Sequence, residues 1–169
     1  MPLLWQFFVR HLEVFAQAFV FTLGLNFWIL ILALFLLPMI AWLRNARYLV
    51  WLYRAFSRIL ESIPVLILLV WVFYALPVLG GPSLGAYLVA VFVFGVSLSL
   101  AWSENLAAGW LAIPGMQSES AQVLGLPTLI AYLVILLPQA IKNSWGSLLG
   151  SLLEIIKRTS LASVIGVPE

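Results

Sequence analysis

The sequence predicts an all-α integral membrane protein, and three observations carry that prediction. Of 169 residues, 64% are apolar and only 8% are charged, where an average globular domain has about 25% charged residues. The mean hydropathy is +1.15. The few charges are also segregated, punctuating uncharged runs long enough to cross a bilayer, for which about 20 apolar residues suffice. Lys+Arg 8 and Asp+Glu 6 are too few to cover the surface of a water-soluble domain of this length.

The first uncharged run extends from Val14 to Leu43 and predicts a span at about 15–43. A cleavable signal peptide is the rival reading. It lacks a basic region ahead of the apolar stretch and a small-residue cleavage site at its end, so a retained helix is expected. His11 beside Arg10 reads as a solvated segment before that helix. Arg44, Arg47, Arg54 and Arg58 follow within one short stretch, with Trp42 and Trp51 alongside. Clustered arginines flanked by tryptophan mark a cytoplasmic loop at the headgroup level. Glu61 beside Arg58 reads as an interfacial pair.

From Ser62 to Ser103 the chain is again uncharged, and Gly80-Gly81-Pro82-Ser83 breaks the run in its middle. Two spans are predicted, at about 60–79 and 84–104. With the arginine loop inside, the N-terminus lies outside and the segment from Pro114 to Gly125 is inside again. Glu104, near the inner end of its span, is expected to snorkel or to pair with a loop arginine.

The last third divides in two ways. Hydropathy alone selects Ser120 to Ile141 as the fourth span. The next stretch, Lys142 to Arg158, is amphipathic at helical period: Lys142, Asn143, Ser144, Gly146, Ser147, Gly150, Ser151, Glu154, Lys157 and Arg158 share one half of the wheel, and Trp145 with the leucines and isoleucines holds the other. It reads either as a helix lying on the membrane surface or as a span whose small, polar face meets a protein interface or a water-filled path. Glu154 and Arg158, four residues apart, are spaced to pair.

Composition excludes several chemistries. The chain has no cysteine and no aspartate, and His11 is its one histidine. Disulfides, thiolate metal sites and cysteine nucleophiles are therefore absent. The scattered glycines form no phosphate-binding loop, and no G-K-[ST] occurs. No cofactor and no enzymatic activity are expected of this chain. A net charge of +2 gives no footprint for nucleic acid.

Lys157 to Glu169 reads K-R-T-S-L-A-S-V-I-G-V-P-E. This closely resembles the K-D-T-S-L-A-S-V-I-G-V-P-E-L segment of permease subunits in ABC importers of the polar amino-acid branch, which take up histidine, glutamine, arginine and similar substrates. Leu136-Leu137-Pro138-Gln139-Ala140 resembles the I-L-P-Q-A of that family. Glu119-Ser120-Ala121 followed by Gly125 resembles its E-A-A-x3-G cytoplasmic loop, with Pro114 where the loop-opening proline stands. The resemblance covers about residues 20–169 in one register.

The resemblance implies four membrane helices here and five in complete relatives, with 139–157 as the fourth span and the fifth apparently lacking. It implies a cytoplasmic coupling helix in the loop 114–126, whose Pro114, Glu119, Ser120, Ala121 and Gly125 would meet an ATPase subunit. Other implied partners are a second permease subunit, identical or homologous, and a periplasmic or lipid-anchored binding protein that delivers an amino acid. The location implied is the bacterial inner membrane. Glu104, Gly146, Gly150, Glu154, Lys157 and Arg158 are then the candidates for the pathway or the subunit interface.

The chain departs from the family at several positions. R-G-T-P becomes Glu61-Ser62-Ile63-Pro64, a charge reversal, and a usual glutamine is Leu68. The basic and aromatic run after Gly125 becomes the uncharged Pro127 to Val134, and the aspartate after Lys157 is Arg158. Those losses leave an alternative: a truncated or degenerate permease-like scaffold or anchor without transport activity.

Overall fold

The computed structural model describes residues 12–45 and 48–168; Arg10, His11, Arg47 and Glu169 lie outside the described residues. Among the described residues there is no strand, and the fold is all-α as the sequence predicts. The first helix, α1 (Leu12–Asn45), has 34 residues, roughly 50 Å at 1.5 Å per residue. That exceeds a hydrocarbon core of about 30 Å, so α1 crosses with tilt or projects beyond it. Its buried residues Leu25, Ile29, Ala33 and Ile40 form a single stripe, while Phe19, Phe35 and Trp42 are exposed. One face packs on protein and the others suit lipid.

The partner for that stripe is α4 (Ala86–Leu111), the centre of the bundle. Gly24 lies against Tyr87, Leu32 against Gly95, and Arg44 reaches the carbonyl of Ser103. The offset along the two helices stays nearly constant, so α1 and α4 run parallel. The chain between them must run back along the bundle once. It does so through α2 (Val50–Ser62) and α3 (Val65–Val78), which meet at a 99° bend. Ile63, in extended conformation, precedes Pro64, as the proline ring disfavours helix in the residue before it.

Inside α3 the turn Trp71–Ala75 is a π-helix that ends just before Leu76-Pro77. A second π turn, Ala131–Leu136, ends just before Leu137-Pro138. In both places an interior proline lacks an N–H and would press on the carbonyl one turn earlier, and the wide turn relieves the clash.

After α4 come a short helix, α5 (Met116–Val123), the turn Thr128–Ile130, the second π turn, and α6 (Leu137–Arg158). Gly109 of α4 faces Ala140 and Ser144, and Trp102 faces Leu148, so α6 runs antiparallel to α4. A 3-10 segment, Thr159–Ile165, then packs against α3 and α4 and closes at Gly166. The core joins all of these, with Leu25 and Ile29 of α1, Leu69 of α3, Phe94 and Leu98 of α4, and Ala162 of the 3-10 segment fully buried. Among the described residues α1 and α4 are long and apolar enough to cross a membrane, and α2 with α3 adds a third if the bent pair is one crossing.

Candidate functional site

The loop 114–126 folds as α5 with a turn at each end. The helix begins at Met116, after Pro114 and Gly115, so Ser118 lies within it rather than at its cap. Its hydroxyl donates to the Gly115 carbonyl at 2.9 Å. Glu119 falls in the first turn, where the helix dipole favours a carboxylate. Ala121 is buried and holds the helix to the bundle, whereas Glu119, Ser120 and Gln122 are exposed. So are Met116, Val123 and Leu124, each more than 70% exposed.

Gly125 stops the helix. At φ +68 it occupies the left-handed region, its N–H bonds to the Gln122 carbonyl, and the Leu126 N–H reaches back to Ala121 at 3.1 Å. This pair of bonds is the Schellman closure, which satisfies carbonyls that would otherwise be orphaned. One further contact ties α5 to α6, where Gln139 Nε2 donates to Gln117 Oε1 at 3.3 Å. Around the loop, the Trp110 ring of α4 lies against the Tyr132 ring of the second π turn with centroids 4.7 Å apart.

A second site is a partly open cavity of about 420 Å³ where the α2–α3 bend faces the middle of α4 and the last turns of α6. Glu61 and Pro64 come from the bend, Ser97 and Ala101 from α4, and Ser151, Glu154 and Arg158 from α6. Arg158 Nη2 lies 2.6 Å from Glu154 Oε1. The pair expected between Arg58 and Glu61 is not formed. Among the described residues the ion pairs are Arg158–Glu154 and Arg44–Glu104, and Glu61 turns to the cavity instead.

Glu104 belongs to a separate cluster near the inner end of α4. Arg44 Nη1 approaches its Oε2 at 3.0 Å, and the Tyr53 hydroxyl donates to its Oε1 at 3.1 Å. Glu104 thus joins α1, α2 and α4 and does not line the cavity.

The polar half of α6 divides between two directions. Ser144 and Ser151 turn toward α4, while Gly146 and Gly150 face open space, with nothing within 4 Å of a β-carbon placed there. Lys157, near the end of α6, is exposed. Sequence reasoning missed the polar ladder between α4 and α6. Asn105 Nδ2 donates to the Ser147 carbonyl at 3.1 Å and to Ser151 Oγ at 2.8 Å, and Asn143 Nδ2 donates to the Gly109 carbonyl at 3.1 Å. The signal was present, because an asparagine in an apolar helix needs a partner across the helix boundary.

A helical bundle with apolar outer faces, a charged cavity and an exposed loop helix defines a multi-pass membrane protein. The comparisons narrow that class. No family model matches the chain. A protein of Vibrio harveyi named as an amino-acid ABC transporter permease is 29% identical over 171 residues, covering 100% of this chain and 73% of that one. A glutamine transport system permease protein of Rickettsia conorii is 30% identical over 111 residues, which are 66% of this chain and 51% of its own. An arginine transport system permease protein of Bacillus subtilis is 29% identical over 70% of this chain and 54% of its own length. The chain spans about half the length of the first of these curated relatives it matches.

Among solved structures, one described as the crystal structure of an amino acid ABC transporter with histidines superposes with a TM-score of 0.84. It covers 95% of this chain and 76% of that chain at 23% identity, which shows a shared fold. The chain is a homologue of amino-acid ABC transporter permeases.

Proposed function

We propose that this chain is the membrane-spanning permease subunit of an ATP-driven amino-acid importer in a bacterial inner membrane, with its N-terminus outside. It forms the translocation path with a second permease subunit, receives substrate from a binding protein, and leaves ATP hydrolysis to partner subunits. The observation that carries this reading is α5. A one-piece helix joins two long helices, is closed by Gly125, and turns Met116, Glu119, Val123 and Leu124 outward. Apolar side chains that stay exposed beside a carboxylate suit a protein partner. Nucleotide-driven closure of an ATPase needs a stiff element to push, and a helix anchored through Ala121 transmits that motion to α4 and α6 as a rigid body.

The chain's lack of cysteine makes the test direct. Single cysteines at Ser118 or Gln122, co-expressed with an amino-acid-transporter ATPase carrying cysteines along its docking cleft, should form crosslinks that change with ATP. Glu119→Ala should weaken them. An inserted, folded chain that gives no crosslink from either position would remove the coupling role.

A further inference from the structure

Beside α2 lies a second cavity, of about 360 Å³, with no charged residue in its lining. It follows α1 from Leu36 to Leu43 and α4 from Phe92 to Leu100, roughly 10–12 Å at 1.5 Å per residue. Its other walls are Tyr53, Phe56 and Leu60 of α2, with Leu68 and Val72 of α3. Tyr53 packs with Ile40 and Leu100, so α2 sits at the end of the cavity nearest Leu43. The two polar side chains of the lining are already spent. The Tyr53 hydroxyl donates to Glu104 Oε1 at 3.1 Å, and Ser97 Oγ donates to the Val93 carbonyl at 2.8 Å. Such a lining suits an apolar occupant. Met39, Phe56 and Phe92 are each about half exposed, so the cavity opens onto the outer, lipid-facing side of the bundle.

The charge that the cavity lacks stands on the other side of α2. This helix turns 99° from α3 and therefore lies across the bundle, as an amphipathic helix in the membrane interface does. At 100° per residue Tyr53, Phe56 and Leu60 share its apolar side, and Arg54 and Arg58 share the other, with Trp51 beside them. Tryptophan is an interfacial residue. Both arginines are exposed and one turn apart, and neither makes an ion pair among the described residues. Arg44, by contrast, is held by Glu104 and the Ser103 carbonyl.

We propose that this cavity holds one acyl chain of an anionic phospholipid whose phosphate is met by Arg54 and Arg58. The inference goes beyond the permease reading and needs only the membrane-embedded fold. The acyl chain fills an apolar slot beneath α2, and the arginine stems snorkel past the helix to the headgroup level. Two unpaired guanidiniums favour a headgroup that keeps a net negative charge over a zwitterionic one, whose ammonium offsets its phosphate. Leu60, Leu68, Ser97 and Leu100 line both this cavity and the charged one at the α2–α3 bend. The bound chain therefore backs the wall of the charged cavity and seals it from the lipid side.

The test uses the full chain in phosphatidylcholine nanodiscs doped with phosphatidylglycerol that carries a photoactivatable diazirine on one acyl chain. Peptide mapping after illumination should place the label on Met39, Phe56 or Phe92. Unlabelled phosphatidylglycerol should compete it away, and neither extra phosphatidylcholine nor soluble glycerol 3-phosphate should do so. Arg54→Gln with Arg58→Gln should reduce labelling at these positions about tenfold, since each cation near an anionic headgroup is worth about one such contact. Arg54→Lys with Arg58→Lys should restore most of it. Met39→Trp, which fills the mouth of the cavity, should lower labelling with the arginines intact. Label spread evenly over the exposed Phe19, Phe35 and Leu88 would mean an ordinary lipid annulus and overturn the site. Equal competition by phosphatidylcholine, or labelling unmoved by the double glutamine variant, would overturn the headgroup contact. Displacement by glycerol 3-phosphate would make this a phosphate site with no need of the acyl chain, and would overturn the proposal as well.

Discussion

At Gly109 the backbones of α4 and α6 approach so closely that a β-carbon would collide with the Ala140 carbonyl and the Ser144 side chain. Asn143 bridges the same point by donating to the Gly109 carbonyl. Gly109→Ala must push the helices apart or shift a carbonyl, and overpacking of this kind costs about 1–3 kcal/mol. A lowered melting temperature in detergent should report it. Gly146→Ala meets open space and should stay within about 0.5 kcal/mol of the parent. Equal effects of the two substitutions would deny the close approach at Gly109. The sequence drew attention to Gly146 and Gly150 through the small, polar face they share and passed over Gly109. Such a pattern shows that a helix offers a flat face, not which neighbour uses it. Glu104 was legible because Arg44 sits at the end of an apolar run, where only another charge suits it. Glu61 was misread because Arg58 was merely near in sequence. An exposed pair of that kind contributes about 0–1 kcal/mol, too little to hold Glu61 from the cavity.

Among elements, α5 shows how far local chemistry fixes structure. Pro114-Gly115 opens the helix and Gly125 ends it, and both were readable as punctuation. Gly125→Ala would force a β-carbon into the left-handed region at φ +68, at a cost of about 1 kcal/mol. Gly115, at φ −56 with nothing nearby, should accept alanine without loss. Hydrogen exchange of the α5 amides should quicken severalfold in Gly125→Ala and not in Gly115→Ala; unchanged protection in both would mean that packing of Ala121 alone holds the helix. The bend between α2 and α3 was less legible. The uncharged run from Ser62 to Ser103 suggested one smooth entry into a span, because hydropathy measures solvent preference and is blind to backbone direction. The local signal was Pro64, which pushes Ile63 out of helix, together with the change from the charged α2 to the apolar α3. The two π turns were equally hidden, since proline signals a disturbance without stating how the helix absorbs it.

Over the whole molecule, the parallel course of α1 and α4 constrains topology before any orientation is assigned. On the proposed reading, in which α1 and α4 both cross, a return crossing lies between them, and the α1–α2 connection and the α3–α4 turn are on opposite sides of the membrane. The loop carrying α5, after α4, returns to the side of the first connection. The orientation proposed above rests on charge: Arg44, Arg54 and Arg58 flank the first connection, whereas the α3–α4 turn, with Gly80 to Ser83, carries none. Positive charge favours the cytoplasmic side. Single cysteines at Tyr48, Ser83 and Gln122, all exposed, turn this argument into a labelling experiment with a membrane-impermeant maleimide. Ser83→Cys should react in intact cells once the outer membrane is permeabilised, and Tyr48→Cys and Gln122→Cys only after the inner membrane is opened. A complete inversion of that pattern would place the N-terminus inside and leave the parallel packing of α1 and α4 intact. Reaction of Tyr48→Cys and Ser83→Cys from the same side would contradict the return crossing itself, and the bent α2–α3 pair would then enter and leave the bilayer on one face.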